Sequence, residues 1–222
     1  MDIGARPRSG RQVAAVGLVE NIFLKHFDRS ILLGSKGENV VTERVLPAAS
    51  VIRRARQSDA EALSGFAARL FRDTYGSDTA ASDLESYIDK NFSTERQEAE
   101  ILYPSAAVFV AMVDDLIIGY AHVVVRSADG RSALLNRIYV DAEWRGSGLA
   151  SRLLDVVINE FEQRGVTHLE LTVFERNSRA VAFYKRVGFA VIGNTTFMVG
   201  EDPQTDVVMQ LDLIGRLNGR SA

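Results

Sequence analysis

The sequence predicts an α+β domain: one mixed sheet, with helices before it and between its strands. Three observations lead there. Val108 to Val113 and Leu116 to Val125 are apolar runs of strand length flanking Asp114-Asp115, which reads as a β-hairpin. From Leu134 to Phe189 the order is strand, glycine turn, helix, strand, helix, a crossover unit. Upstream, Leu63, Phe66, Ala67, Leu70 and Phe71 recur at helical spacing.

Residues 1–48 hold Gly, Ser, Arg and scattered apolar positions, and are expected to form a loosely ordered extension ending near Pro47. A short helix is expected from Val19 to His26, carried by Val19, Ile22, Phe23 and Phe27. Arg6, Arg8 and Arg11 give the start the look of a feeble targeting segment, without its hydrophobic stretch or cleavage pattern. One expectation is that Val45 or Leu46 is the native start, which an intact mass would check. Residues 49–215 are expected to be the main folded domain and 216–222 a tail. Within the domain, Val51 to Ala55 reads as a strand and Ser58-Asp-Ala-Glu61 as a capping box opening the first helix. Ser82 to Asn91 and Ser93 to Leu102 read as further helices, and Ala190 to Met198 and Asp206 to Leu213 as the last strands.

Composition narrows the chemistry. With 222 residues and a formal net charge of -3, no basic block marks a nucleic-acid partner. No apolar run is long enough to cross a bilayer, so a cytoplasmic location without membrane contact is expected. Cysteine is absent, which excludes disulfides, thiolate metal sites and a cysteinyl thioester. His26, His122 and His168 are too scattered for a metal site, and none is expected.

The turn after Leu134–Val140 carries the chemistry. Gly146 and Gly148 lie two apart where the long helix begins, so first-turn N–H groups lacking internal acceptors face outward without shielding side chains. A pyrophosphate suits that arrangement, and Arg145 could add a charged donor. A Walker A loop needs Gly-Lys-Ser/Thr, which is missing. A dinucleotide fingerprint fits poorly, because the third small position is Ser151 and five residues separate Val140 from the first glycine. A helix start with no ligand is the remaining reading of the turn taken alone.

Two blocks together carry a resemblance. Arg145-Gly-Ser-Gly148-Leu-Ala150 and Asn177-x-x-Ala180-x-x-Phe-Tyr184-x-x-x-Gly188-Phe189 resemble the paired motifs of the GCN5-related N-acetyltransferase superfamily, over about Val51 to Leu213. Phe71 to Tyr75, Ser86 to Phe92 and Phe197 to Asp206 further resemble its bacterial spermidine/spermine acetyltransferase branch. The resemblance implies a sheet of about seven strands, mostly antiparallel, splayed between Leu134–Val140 and Leu169–Phe174, with acetyl-CoA in the opening. Main-chain groups of Ile138, Tyr139 and Val140 would hold the pantetheine arm, with Asn177 on its other side. Arg145, Gly146, Ser147, Gly148, Leu149, Ala150 and Ser151 would hold the pyrophosphate. Dimers are frequent in the superfamily, so a homodimer is an expectation too.

The implied reaction is direct attack of a primary amine of a small molecule, a polyamine among the candidates, on the thioester. The departing thiolate resembles a thiol of pKa about 8.5 and gains from a nearby proton donor, which the resemblance assigns to Tyr184. The amine must shed a proton, at a cost of about 4 kcal/mol from a pKa of about 10.4. Where some polyamine acetyltransferases supply a Glu for this, Asn136 stands, able to orient a water or the substrate but not to accept the proton. Glu170 and His122 are water-relayed base candidates, although each reads first as an ordinary sheet residue. Phe71, Tyr75, Tyr87 and Phe92 are candidate acceptor walls, and Asp73, Asp78, Asp83, Glu85, Asp202 and Asp206 candidate attractors for a polycation. Two other classes stay open: a non-catalytic acyl-CoA sensor and a protein-lysine acetyltransferase.

Overall fold

The computed structural model describes residues 46–47, 49–75, 81–199 and 202–214; the side chains of residues 74–75, 197–199 and 202–204 fall outside that description. The expectations at Val19–His26, His26 and Asp78 therefore lie outside the described residues, as do the side chains of Tyr75 and Asp202.

Seven strands form one sheet: β1 (Val51–Arg54), β2 (Ala106–Val113), β3 (Leu116–Val125), β4 (Ser132–Val140), β5 (His168–Phe174), β6 (Ala190–Val199) and β7 (Asp202–Asp212), in the order β1-β2-β3-β4-β5-β7-β6. Helices α1 (Ala60–Tyr75), α2 (Ala81–Phe92) and α3 (Thr94–Leu102) precede β2. Helix α4 (Leu149–Gln163) crosses from β4 to β5, and α5 (Ser178–Arg186) comes after β5. Every strand pair is antiparallel except β4 with β5. The last strand starts earlier than its apolar run, because Asp202 to Thr205 continue the pairing with β6.

The β2–β3 hairpin turns on Asp114 and Asp115, with φ of 48° and 64°. Two successive left-handed residues match the right-handed twist of the flanking strands, and aspartate tolerates that region better than most side chains. The start of α1 departs from the expected Ser58 capping box. A 3-10 turn at Gln57–Asp59 comes first, and the Asp59 carboxylate accepts from the Arg56 backbone N–H at 2.6 Å. Arg53 donates to both oxygens of Asp59, at 2.7 and 2.9 Å, so that carboxylate is already committed to capping and pairing. Ser93 lies just outside α3 as its cap, accepting from the Arg96 N–H at 3.2 Å.

The sheet divides the core in two. On one face α4 packs Leu149, Leu153, Val157 and Phe161 onto alternating strand residues such as Ala121, Leu135, Leu169 and Leu171. On the other, α1 and α2 pack Leu63, Phe66, Phe71 and Phe92 onto Val108, Val110 and Tyr120. Gly119 lets α4 approach: a Cβ there would stand 2.9 Å from the Tyr139 carbonyl oxygen and 3.2 Å from Leu153.

Two irregularities in β4 shape the centre of the sheet. Its pairing with β3 shifts register between His122 and Val123, leaving Asn136 as the extra residue of a bulge. Its pairing with β5 stops after three residue pairs, Ser132 with His168 through Leu134 with Glu170. Beyond Leu134 the two central strands separate, as the splay expected from the family resemblance requires.

Candidate active site

A cavity of about 540 Å³ opens where β4 and β5 part. That volume suits a drug-sized ligand or cofactor segment. Ile138, Tyr139 and Val140 line it from β4, past the end of the ladder with β5. Backbone groups that leave a ladder take partners elsewhere, and an opening beside them gives a ligand access to that edge.

The turn into α4 forms the next wall. Asp141 accepts from the Glu143 N–H at 3.0 Å and caps a 3-10 turn at Ala142–Trp144. Arg145, Gly146, Gly148, Leu149, Ala150 and Ser151 all line the cavity. Gly146 and Gly148 have φ of 86° and 82°, and a Cβ at either would meet nothing within 4 Å. Both glycines are therefore demanded by backbone conformation, and the space beside them is open. Gly148 caps α4 without a side chain, so nothing of its own blocks the N–H groups of the first turn. Ser147 is turned away: its hydroxyl donates to the Trp144 carbonyl at 2.6 Å, and only its backbone belongs to the turn.

Helix α5 closes the far side. The Asn177 side-chain oxygen accepts from the Ala180 N–H at 3.0 Å, which caps α5, and Asn177 also lines the cavity. Tyr184 reaches the cavity from the core face of α5, packed edge-on against Phe183 and Phe189 at 5.2 and 5.5 Å between centroids. Burial pushes its phenol well above the ordinary value, so the hydroxyl keeps its proton through neutral pH. The cavity also takes in Leu70, Trp144, Arg179, Ala182, Phe183 and Arg186, which the sequence alone did not assign to a site. Their signal is weak, because exposed arginines on a short helix look like solvated surface.

The acceptor candidates are placed differently. Tyr87 stacks on Phe71 at 4.8 Å, and both lie against Phe92 at 6.1 and 5.6 Å. These rings satisfy one another as packing under α1 and α2, and none lines the cavity. Asn136 is buried by the bulge and meets His122 Nδ1 at 3.2 Å. Glu170 accepts from Gln210 across the β5–β7 ladder at 2.9 Å. Asp206 is buried in β7 opposite Phe174. The acidic face is also partly spent: Arg72 donates twice to Glu85, and Arg69 binds Asp141 at 2.7 Å and approaches Asp73 at 3.9 Å. No cluster of three metal-ligating side chains occurs among the described residues, nor any helix long and apolar enough to cross a membrane.

Comparison with known proteins places this architecture. The model of the Acetyltransferase (GNAT) family matches residues 69–189. An uncharacterized N-acetyltransferase of Mycobacterium tuberculosis is 31% identical over 157 residues, which is 71% of this chain and 99% of that protein. Among solved structures, the PaiA N-acetyltransferase of Thermoplasma acidophilum, in complex with coenzyme A, superposes with a TM-score of 0.62 at 23% identity, over 73% of this chain and 98% of that one. The spermidine/spermine N-acetyltransferase SpeG of Vibrio cholerae superposes at 0.58 with 20% identity, over 78% and 99%. The family match and the sequence relative make this splayed-sheet protein an acyltransferase. The chain belongs to the acetyltransferase (GNAT) family.

Proposed function

We propose that the cavity binds acetyl-CoA and that the protein transfers the acetyl group to a primary amine of a small molecule, the two substrates meeting in a ternary complex. The observation that carries this is the convergence of three supply lines on one opening: the β4 edge beyond its ladder with β5, the first-turn amides of α4, and the protonated Tyr184. The residues fit the cofactor. Gly146 and Gly148 leave the diphosphate a cradle that any Cβ would fill, and Arg145 adds positive charge. The β4 edge from Ile138 to Val140 suits the amides of a pantetheine arm, with Asn177 opposite. Acetyl-CoA supplies an activated thioester; a C–N bond forms as the C–S bond breaks. Tyr184 hands its proton to the departing sulfur and recovers one from solvent. The amine's own proton leaves through water, with Glu170 held by Gln210 and His122 held in the core.

The acceptor is to be found by a screen of amines, spermidine and spermine among them, with thiol release as readout. Amine-dependent release supports the reading. Tight CoA binding without it would make the protein a sensor, and acetylation of protein lysine alone would make it a protein acetyltransferase. Of the candidate attractors, Glu85 is paired with Arg72 and Asp73 lies 3.9 Å from Arg69, so the choice between polyamines and monoamines is left to the screen. The reading takes residues 49–215 as the catalytic unit and the cytoplasm as its compartment, with a homodimer as one assembly open to it.

One substitution tests the cradle. Gly148→Asn keeps a residue that tolerates positive φ but puts a side chain into open space that the diphosphate would need. Acetyl-CoA affinity is expected to fall at least about tenfold with the fold intact by circular dichroism. Unchanged affinity would contradict the assigned cradle.

A further inference from the structure

Three arginines line the cavity, and no aspartate or glutamate is among its described lining residues. Arg145 comes from the turn before α4, while Arg179 and Arg186 come from α5. Arg179, Ala182 and Arg186 stand at i, i+3 and i+7, so they share one stripe of the helix. All three are exposed, and the stripe position between the two arginines carries only an alanine methyl. Arg145 is half-buried, and its pKa is lowered first by desolvation and next by Arg179 close by. Like charges gathered at the rim of a cavity raise one another's cost unless an anion joins them. The diphosphate already has the amides of α4 and Arg145 on its own wall. The α5 stripe adds further positive charge from a different element, running from Arg179 near Arg145 to Arg186 seven residues on. Arg186 contacts the Phe183 ring at 5.8 Å and makes no ion pair among the described residues.

We propose that Arg179 and Arg186 form a separate subsite for a phosphomonoester, the 3′-phosphate of coenzyme A, so that the enzyme distinguishes CoA from dephospho-CoA. This rests on the cavity being the CoA site. A phosphomonoester carries about -1.5 to -2 charges near neutral pH and offers three acceptor oxygens. Planar guanidinium forks match such a group better than ammonium points do, which suits two arginines and no lysine on this stripe. Ala182 between them on the stripe adds no long side chain that would compete with a ligand for that space.

The test is calorimetric titration of the full chain with CoA and with dephospho-CoA, at low and moderate salt. Wild-type protein is expected to bind CoA at least about tenfold more tightly, the value of one good charge-assisted contact. The advantage should shrink with salt. In the Arg179→Gln/Arg186→Gln double variant the ratio should collapse towards one, because CoA weakens while dephospho-CoA does not. Both side chains are exposed, so the fold should survive, and the wild-type ratio needs no variant at all. Equal affinity for the two ligands in wild type overturns the subsite and leaves the cofactor reading standing. A ratio unchanged in the double variant also overturns it, assigning the discrimination elsewhere. Binding of neither ligand removes the cofactor reading and the subsite together.

Discussion

Tyr184→Phe is expected to lower kcat at least about a hundredfold while leaving acetyl-CoA affinity within about twofold. The ring carries the packing: it lies 3% exposed between Phe183 and Phe189, and phenylalanine keeps every ring contact. Only the hydroxyl is lost, at a position that reaches the cavity. Burial raises the Tyr184 pKa, so wild-type kcat should show no falling limb from this group between about pH 7 and pH 10. A donor needed only in the transition state shows itself as a loss in kcat and in kcat/KM of equal size. Equal losses in kcat and in cofactor affinity would instead mark Tyr184 as a wall residue. A poorer leaving group should widen the gap between the two enzymes, because it depends more on the proton.

The sequence made the crossover unit readable because its signals are local. Strand, paired glycines and amphipathic helix occupy consecutive residues from Leu134 to Gln163, and the structure assembles them in that order. Tyr184 was reached only through the family resemblance carried by the block from Asn177 to Phe189, since by periodicity alone it is a core aromatic. What stayed hidden depends on contacts between distant segments. Helical spacing puts Phe71 and Tyr87 on apolar faces, but it cannot say that those faces meet each other instead of an opening. The bulge at Asn136 rests on one extra residue, and two adjacent polar residues in an apolar strand were its only trace. Glu100 lies in a helix that reads as mostly solvated, 37 positions before the arginine it binds. The arginine stripe of α5 was invisible because its meaning comes from the cavity it faces.

The cluster around Glu100 and Arg137 also holds His122, and His122 is expected to make stability fall in mild acid. The bulge sends Arg137 to the α3 side, where its guanidinium donates to Glu100 at 2.6 and 3.1 Å and stands 5.4 Å from the Phe92 ring. Arg96 donates to the same carboxylate at 3.0 Å, and His122 Nδ1 lies 3.4 Å from it. Burial would raise the Glu100 pKa, but Arg137 and Arg96 outweigh it and hold the carboxyl below its ordinary value. Burial pushes His122 down to about 4; Glu100 opposes that shift, while Arg137 and Arg96 add to it. His122 is therefore neutral in the folded protein at pH 6, whereas the unfolded chain protonates it near 6.5. Between those values the unfolded state binds the extra proton, so stability falls as pH drops from about 6.5 to about 4. The full loss is on the order of 3 kcal/mol. Glu100, with its lowered pKa, contributes stability above its unfolded value, lost as pH falls further through the folded one. Asp59, lowered chiefly by the Arg53 hydrogen bond, acts in that lower range too, which leaves the upper window to His122. Urea unfolding at pH 7.5, 6 and 5 should show the decline in wild type and a much flatter line in His122→Asn. A slope unaltered by that substitution would remove His122 as its source. At pH 7.5, Arg137→Met should cost about 3 kcal/mol by leaving the buried Glu100 charge with only the more exposed Arg96 as its cationic partner. Adding Glu100→Gln should restore part of that stability, because the under-compensated buried charge, more than the lost contact, is what the fold cannot tolerate.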